Sequence, residues 1–217
     1  MILPVFLNLR FKMRGLYLVT DRGLCGGKPL EKIILQAVRG GVSCVQLREK
    51  EVSTRFFVEE AVNIKNILQP YGVPLIINDR VDVALACGAD GVHLGQDDMP
   101  YEMARKLMGP EAIIGLSVET WEDVLASQTL DVNYIGVSPV FATPTKVDTK
   151  GVWGLEGLRR IKSFSRHLLV AIGGINSSNV REVIDAGADG VAVVSAICTS
   201  ADPETAARRM NAIIRSA

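Results

Sequence analysis

Two aspartates each follow a short apolar segment in the sequence, an arrangement suited to binding a cation. Asp79 follows the apolar run 75–77, and Asp98 follows the apolar segment 91–95. Such runs are typical of strands buried on both faces of a parallel sheet, and successive strands of that sheet end at the same edge. The two carboxylates can therefore converge although they are distant in sequence. Converging oxygen donors predict Mg²⁺ and a diphosphate substrate, because Mg²⁺ usually binds one or two carboxylates together with a substrate phosphate.

A structural role is the alternative for these acids. Aspartate is common at helix N-caps, and Asp97 precedes Met99 and Pro100, where a helix is expected to begin. Spacing alone does not separate a helix cap from a metal ligand, so both interpretations stay open at this point.

A second polar group lies at the end of the predicted strand 44–47. Gln46, Arg48 and Lys50 alternate along the chain. Alternate side chains of extended backbone point to one side, and three donors aimed together can clamp an anion or a heterocycle. The alternative is a solvated surface cluster in which Arg48 and Lys50 pair with the neighbouring glutamates.

A loop of threonine, proline, lysine and glycine follows the predicted strand 134–137 and is too long for a simple connection. Thr143, Thr145 and Lys146 lie in it, and their hydroxyl and ammonium groups are suited to binding a phosphate. Long loops of compact domains often bind ligands, so we predict a phosphate contact here. An ordinary surface loop is the alternative.

Composition excludes several classes of protein. The 217 residues contain 24 lysines and arginines against 24 aspartates and glutamates, which favours neither nucleic acid nor an anionic membrane as a partner. No apolar segment approaches the roughly eighteen residues of a membrane span. The four cysteines form no CxxC pair, which argues against a zinc site or a redox dithiol. We expect a soluble cytoplasmic protein with reduced, mostly buried thiols.

Strand and helix patterns alternate eight times along the chain. The motif GADGV recurs at 88–92 and 187–191, each time at a turn from a helix to a strand. This alternation predicts an α/β fold, a (β/α)₈ TIM barrel with a single domain over residues 14–217. Residues 1–13 are expected to form an N-terminal extension or to close the bottom of the barrel. The predicted strands are 16–19, 44–47, 75–77, 91–95, 113–116, 134–137, 168–172 and 190–194.

In such a barrel every polar group described above lies at the carboxyl ends of the strands, where active sites of this fold are found. The loops after the seventh and eighth strands often form a phosphate site. Gly174 and the Val194–Ser195 turn occupy those two positions. The fold therefore predicts a phosphorylated ligand beside the cation.

Five short motifs occur in an order that resembles one enzyme family. They are QLREK, NDR followed by VDVA, GVHLGQDD, TPTK and AIGGI. With them, the chain from Arg14 onward is similar to the thiamine phosphate synthase family. The resemblance implies that 4-amino-2-methyl-5-(diphosphooxymethyl)pyrimidine is joined to a thiazole phosphate with release of diphosphate.

The resemblance also implies ligand roles for residues in these motifs. Asp79 and Asp98 would bind Mg²⁺, Ser117 would contact the pyrimidine, and Lys146 would reach the departing diphosphate. The pyrimidine diphosphate would be held by Gln46, Leu47, Arg48, Glu49, Lys50 and Asn78. The thiazole phosphate would be held by Thr143, Thr145, Gly174, Val194 and Ser195.

The implied chemistry needs no nucleophilic side chain, because diphosphate leaves a pyrimidine methylene cation that the thiazole nitrogen attacks. Arg48, Lys146 and Ser117 are the expected catalytic residues, and Mg²⁺ is the expected cofactor. The substrates are small molecules, and a homo-oligomer is possible.

The sequence departs from the family pattern at Ser138, where glycine is common, and at Glu119, where many relatives have histidine. A related thiazole tautomerase branch uses that histidine, so an isomerase is one alternative function. A barrel that binds phosphorylated ligands without turnover is another. His93 is expected to be a packed core residue and His167 a surface residue at the opposite rim.

Overall fold

Eight parallel strands close into one barrel, which confirms the predicted fold. The computed structural model describes residues 14–143 and 150–217. The strands pair in chain order, and the last pairs with the first. They are β1 (Gly15–Val19), β2 (Cys44–Leu47), β3 (Leu75–Asn78), β4 (Gly91–Leu94), β5 (Ile113–Val118), β6 (Tyr134–Val137), β7 (Leu168–Ile172) and β8 (Gly190–Val193).

Helices connect the strands around the outside of the barrel. Side-chain caps begin some of them: Ser53 accepts a hydrogen bond from the Phe56 N–H, and Thr120 forms a capping box with Asp123. Within residues 14–143 and 150–217 the helices are α1 (Leu30–Arg39), α2 (Thr54–Leu68), α3 (Val81–Cys87), α4 (Tyr101–Met108), α5 (Trp121–Ser127), α6 (Gly154–Phe164), α7 (Val180–Asp185), α8 (Ser195–Cys198) and α9 (Pro203–Arg215), with 3-10 turns at Arg22–Cys25 and Gln69–Tyr71.

Alternate residues of each strand face the barrel interior or the surrounding helices, as the two-residue period of a strand requires. The larger apolar cluster lies between strands and helices, where Leu18, Val45 and Ile77 are fully buried. This alternation also decides which polar residues at the strand ends face inward. The interior cluster consists of Tyr17, Val19, Cys44, Ile76, Ile113, Tyr134, Val170 and Ala192.

Two tyrosines supply much of the bulk inside the barrel, and glycines make room for them. The rings of Tyr17 and Tyr134 meet edge to face with centroids 6.0 Å apart. A Cβ atom at Gly115 would lie 2.1 Å from Cζ of Tyr134, and one at Gly136 would lie 3.0 Å from Cε1 of His93. The absent side chains let the aromatic rings cross the barrel interior.

Some boundaries differ from the prediction. β5 continues to Val118, so Ser117 lies within the strand and does not follow it. Ser195 begins the short helix α8 directly after β8. The prediction for His167 is wrong: the residue does lie at the start of β7, but it is buried, with Nε2 2.9 Å from the Ser127 carbonyl oxygen. Burial lowers the pKa of His167.

All four cysteines are buried and free, as expected. In the part of the chain that the structure describes, no helix is long and apolar enough to cross a membrane. The prediction for residues 1–13 falls outside the described residues.

Candidate active site

A cavity of about 340 Å³ opens at the carboxyl ends of the strands, and all eight strand ends contribute to its wall. Carboxylates, cations, hydroxyls and backbone amides therefore face one small volume. The residues predicted from sequence that line this cavity are Gln46, Arg48, Lys50, Asn78, Asp79, Asp98, Ser117, Thr143, Gly174, Val194 and Ser195. Thr145 and Lys146 lie outside the described residues.

Asp79 and Asp98 meet at one side of the cavity. Lys50 Nζ donates a hydrogen bond to Asp79 Oδ2 over 2.5 Å, and the Gly95 N–H donates one to Asp98 Oδ2 over 2.6 Å. Burial raises the pKa of Asp98, the Gly95 N–H lowers it, and the adjacent Asp79 carboxylate raises it again. Two carboxylates this close favour binding of a cation between them.

The helix-cap alternative for these acids is wrong. Arg80 is the N-cap of α3, and Pro100 is the N-cap of α4, so neither Asp79 nor Asp97 caps the following helix. Asp98 caps only the tight turn at Gly95.

The backbone of Asp79 adopts a conformation that non-glycine residues rarely use. Its φ is +64°, and it is the one non-glycine residue with positive φ among the described residues. Aspartate tolerates this left-handed region better than most residues. The Asp79 N–H donates to the His93 carbonyl oxygen over 2.8 Å, which holds this turn against β4. Strained residues are concentrated at functional sites, and here the turn directs a carboxylate into the cavity.

Gln46, Arg48 and Lys50 all line the cavity, as their alternation predicts, and Lys50 reaches the acid pair at Asp79. We call these three residues the clamp. The Arg48 N–H donates to Thr20 Oγ1 over 3.0 Å, and an Arg48 guanidinium nitrogen lies 3.5 Å from Asp21 Oδ2. The alternative of surface pairing with neighbouring glutamates is wrong, because Arg48 pairs with Asp21 and Lys50 pairs with Asp79.

Two residues between the members of the clamp point the other way. Leu47 is fully buried in the apolar layer between barrel and helices. Glu49 Oε1 accepts a hydrogen bond from Arg22 Nε over 3.1 Å, and its side chain does not line the cavity. The prediction that Leu47 and Glu49 bind the substrate is therefore corrected for their side chains, because neither residue lines the cavity.

A hydrogen-bonded chain lies below the clamp. His93 Nδ1 is 2.9 Å from the Tyr134 hydroxyl, and His93 Nε2 is 2.9 Å from Ser117 Oγ. The His93 and Tyr134 rings stack with centroids 5.5 Å apart. Burial raises the pKa of Tyr134 well above its usual range, while a hydrogen bond with Gln46 lowers it. The hydroxyl of Ser117 is thereby held by a fixed imidazole.

The prediction for His93 was incomplete. The residue is buried, as expected, but its ring lines the cavity. The alternation of β4 places His93 on the opposite face from Val92 and Leu94. Without a structure, that phase could not be assigned to the barrel interior.

Replacing His93 with phenylalanine should lower the free energy of unfolding by about 1–3 kcal/mol, because it leaves the buried Tyr134 hydroxyl without its histidine partner. Denaturant unfolding measures the effect. The double variant His93→Phe, Tyr134→Phe removes both polar groups and should recover part of the loss. Equal stability of His93→Phe and the unsubstituted chain would contradict the assigned hydrogen bonds.

Glycines and a short helix form the end of the cavity at β7 and β8. A Cβ atom at Gly174 would lie 2.8 Å from Cβ of Phe141, and Gly174 has φ of +67°, so only glycine fits this turn without strain. Val194 and Ser195 begin α8 beside it, and Thr143 lines the same cavity. Asn179 Nδ2 donates to the Gly174 carbonyl oxygen over 3.0 Å and holds the turn.

Several cavity residues were not assigned a role from the sequence. Glu119 lines the cavity and accepts a hydrogen bond from the Lys150 N–H over 3.4 Å. Ser138 also lines the cavity, as does Asp21, the partner of Arg48. Asp21 belongs to the polar run 20–22, which directly follows β1. Polar residues also follow the strands that supply the acids and the clamp, so this position was the available signal for Asp21. The other lining residues without a predicted role include Thr20, Gln96 and Asp97.

Comparison with known proteins gives one consistent result. The family model described as thiamine monophosphate synthase matches residues 16–197. The thiamine-phosphate synthase of Albidiferax ferrireducens is 57% identical over 207 residues, which are 95% of this chain and 94% of that protein. The thiamine-phosphate synthase of Leptospira biflexa is 55% identical over 199 residues, 90% of this chain and 95% of the relative.

A solved structure agrees in both sequence and fold. The thiamine phosphate pyrophosphorylase from Pyrococcus furiosus superposes with a TM-score of 0.88 and 40% sequence identity, covering 96% of this chain and 98% of that one. The similarity therefore extends over the whole barrel and includes all eight strand ends that form the cavity.

Proposed function

Because the chain belongs to the thiamine monophosphate synthase family, we propose that its cavity binds a pyrimidine diphosphate and a thiazole phosphate side by side. The chain is a transferase that couples the two rings to thiamine phosphate and releases diphosphate. The C–O bond between the pyrimidine methylene and the diphosphate breaks with its electron pair leaving on oxygen. The thiazole nitrogen then supplies the pair for the new C–N bond.

One observation carries the assignment of residues. The cations of the clamp and the acid pair line one cavity, and Lys50 Nζ reaches Asp79 Oδ2 over 2.5 Å. A diphosphate would use both the clamp and the acid pair, because its oxygens pair with arginine and lysine directly and with carboxylates only through a cation.

Arg48 and Lys50 would stabilise the negative charge that grows on the leaving oxygens, which is the main electrostatic demand of this reaction. Asp21 keeps the guanidinium of Arg48 oriented before a ligand arrives. Gln46 and Asn78 supply neutral donors and acceptors from the same rim, and Ser117, held by His93, presents a hydroxyl to the pyrimidine. Positioning of two substrates adds to catalysis without any covalent intermediate on the protein.

The donor set of the acid pair fits magnesium. Two carboxylates, those of Asp79 and Asp98, converge there. Within the described residues, we find no larger metal site built from three or more histidine, cysteine, aspartate or glutamate side chains. Mg²⁺ keeps waters and substrate oxygens in its remaining positions, so two protein ligands suffice. Asp79 and Asp98 would hold Mg²⁺, which would neutralise charge on the diphosphate oxygens.

The thiazole phosphate would lie at the β7 and β8 end. Because Gly174 has no side chain, a phosphate could approach its backbone closely. The turn at Val194 and the hydroxyl of Ser195 line the same cavity as Thr143. Thr145 and Lys146 keep the phosphate and leaving-group roles that the family resemblance implies. A cytoplasmic location and a homo-oligomer also stay predictions from the sequence.

Product formation tests this proposal directly. Purified protein with both phosphorylated rings and Mg²⁺ should release one diphosphate for each thiamine phosphate formed, as measured by chromatography and a coupled diphosphate assay. Chelation of the cation should stop turnover, and added Mg²⁺ should restore it. Isomerisation of a thiazole phosphate without diphosphate release, unaffected by chelation, would support the isomerase alternative instead.

A further inference from the structure

Outside the cavity, one arginine joins two buried glutamates from different elements. Arg22, in the 3-10 turn after β1, donates from Nε to Glu49 Oε1 over 3.1 Å and from a terminal nitrogen to Glu60 Oε1. Glu49 follows β2, and Glu60 lies on α2. Each glutamate side chain is 5% exposed. We call Arg22, Glu49 and Glu60 the outer cluster.

The charges of the outer cluster do not balance if both carboxyls are ionised. One guanidinium faces two carboxylates, and an unpaired charge away from water is costly. Among the described residues, Glu60 Oε2 is buried and accepts no hydrogen bond. The pKa of Glu49 is raised in keeping with this excess of negative charge.

Several charged and titratable groups lie around the two glutamates. The turn contributes Arg22, Asp21 and the buried Cys25 thiol, while the nearby cations Arg48 and Lys50 are engaged by Asp21 and Asp79. Burial raises the pKa of Glu49, Arg22 lowers it, and the charge and hydrogen bonding of Glu60 raise it again. The net direction of the change in the pKa of Glu49 is upward.

The outer cluster lies directly behind the clamp. Glu49 lies between Arg48 and Lys50 just after β2, and its side chain pairs with Arg22 outside the cavity, whereas Arg48 and Lys50 line the cavity. Arg22 follows Asp21, which pairs with Arg48 over 3.5 Å. Arg22 also lies over the ring of Phe56 on α2 at 5.2 Å from its centroid. Three elements are thereby tied together at the back of the two cations.

We propose that Glu60 and Arg22 are positioning residues, which hold Glu49 outward so that Arg48 and Lys50 face their common ligand. This inference rests on the proposed function, because it takes the pyrimidine diphosphate as that ligand. The outer cluster itself touches no substrate, so its effect is on how well the clamp is oriented. Loosening it should weaken binding of the diphosphate substrate and spare the thiazole phosphate.

Two substitutions of Glu60 test the proposal. Glu60→Ala should raise KM for the pyrimidine diphosphate about tenfold, because small displacements of a binding group are costly, and it should leave KM for the thiazole phosphate unchanged. Glu60→Gln keeps the shape and an oxygen acceptor for Arg22, so its KM should match that of the unsubstituted chain. Glu156→Gln, at an exposed ion pair on α6, is the matched control.

The pH profile gives an independent measurement. Because the pKa of Glu49 is raised, its protonated form is favoured at lower pH and lost as the pH rises through that pKa, so KM for the pyrimidine diphosphate should climb over the same range. In Glu60→Gln this climb should disappear, since only one carboxylate remains. Unchanged KM in Glu60→Ala, or a KM climb of equal size in Glu60→Gln, would overturn the inference. Absence of product from the unsubstituted chain would instead overturn the proposed function.

Discussion

Replacing Asp79 with alanine should lower kcat/KM for coupling by about a hundred- to a thousandfold, the usual cost of losing one group that stabilises transition-state charge. Asp98→Ala should have a similar effect, because the two carboxylates form one metal site and either variant leaves that site with a single negative charge. Steady-state assays at several Mg²⁺ concentrations measure both the loss and any shift of the activation curve to higher Mg²⁺.

Further variants separate charge from backbone in this prediction. Asparagine tolerates positive φ, so Asp79→Asn keeps the turn at φ +64° while removing the charge, and it should be about as inactive as the alanine variant. Asp185→Ala, which removes an exposed acid on α7, should be fully active. Full activity of either Asp79→Asn or Asp98→Ala would reject the metal assignment.

Replacing Arg48 with alanine should lower kcat by about a hundredfold or more, because a preorganised cation at the leaving group is lost. The thiazole phosphate lies at the other end of the cavity in our proposal, so its KM should change little. Single-turnover measurements with saturating substrates separate this loss from weaker binding.

Arg48→Lys provides the graded comparison. Lysine keeps the positive charge but lacks the planar fork that can contact two phosphate oxygens at once, so activity should be intermediate. Arg159→Ala, at an exposed ion pair on α6, is the matched control and should behave like the unsubstituted chain. A normal kcat in Arg48→Ala would show that the cation is not needed when diphosphate departs.

Local patterns were enough to predict the barrel. Most residues of the eight strands are apolar, and Ser53 and Thr120 begin helices with the hydroxyl caps that such residues favour. Boundaries were less well determined, since β5 continues through Ser117 with pairing to Gly136 on β6. Hydrogen bonds to a neighbouring strand extend an element beyond what its own sequence indicates.

The roles of histidines depended on packing. His93 and His167 each border apolar residues, yet one lines the cavity and the other binds the Ser127 carbonyl at the opposite rim. Strand phase alone does not tell which face is the barrel interior. Closure of the sheet decides it, because only closure gives the eight strands a common inside.

By itself, the sequence determined the alternation of elements, the inward spacing of Gln46, Arg48 and Lys50, and the placement of acids behind two strands. These follow from periodicities of the chain and are local. Only the tertiary structure decided that Lys50 meets Asp79, that His93 holds Ser117, and that Glu49 turns away toward Arg22 and Glu60. Such contacts join residues from different strands and helices, and their distances exist only once the barrel has closed.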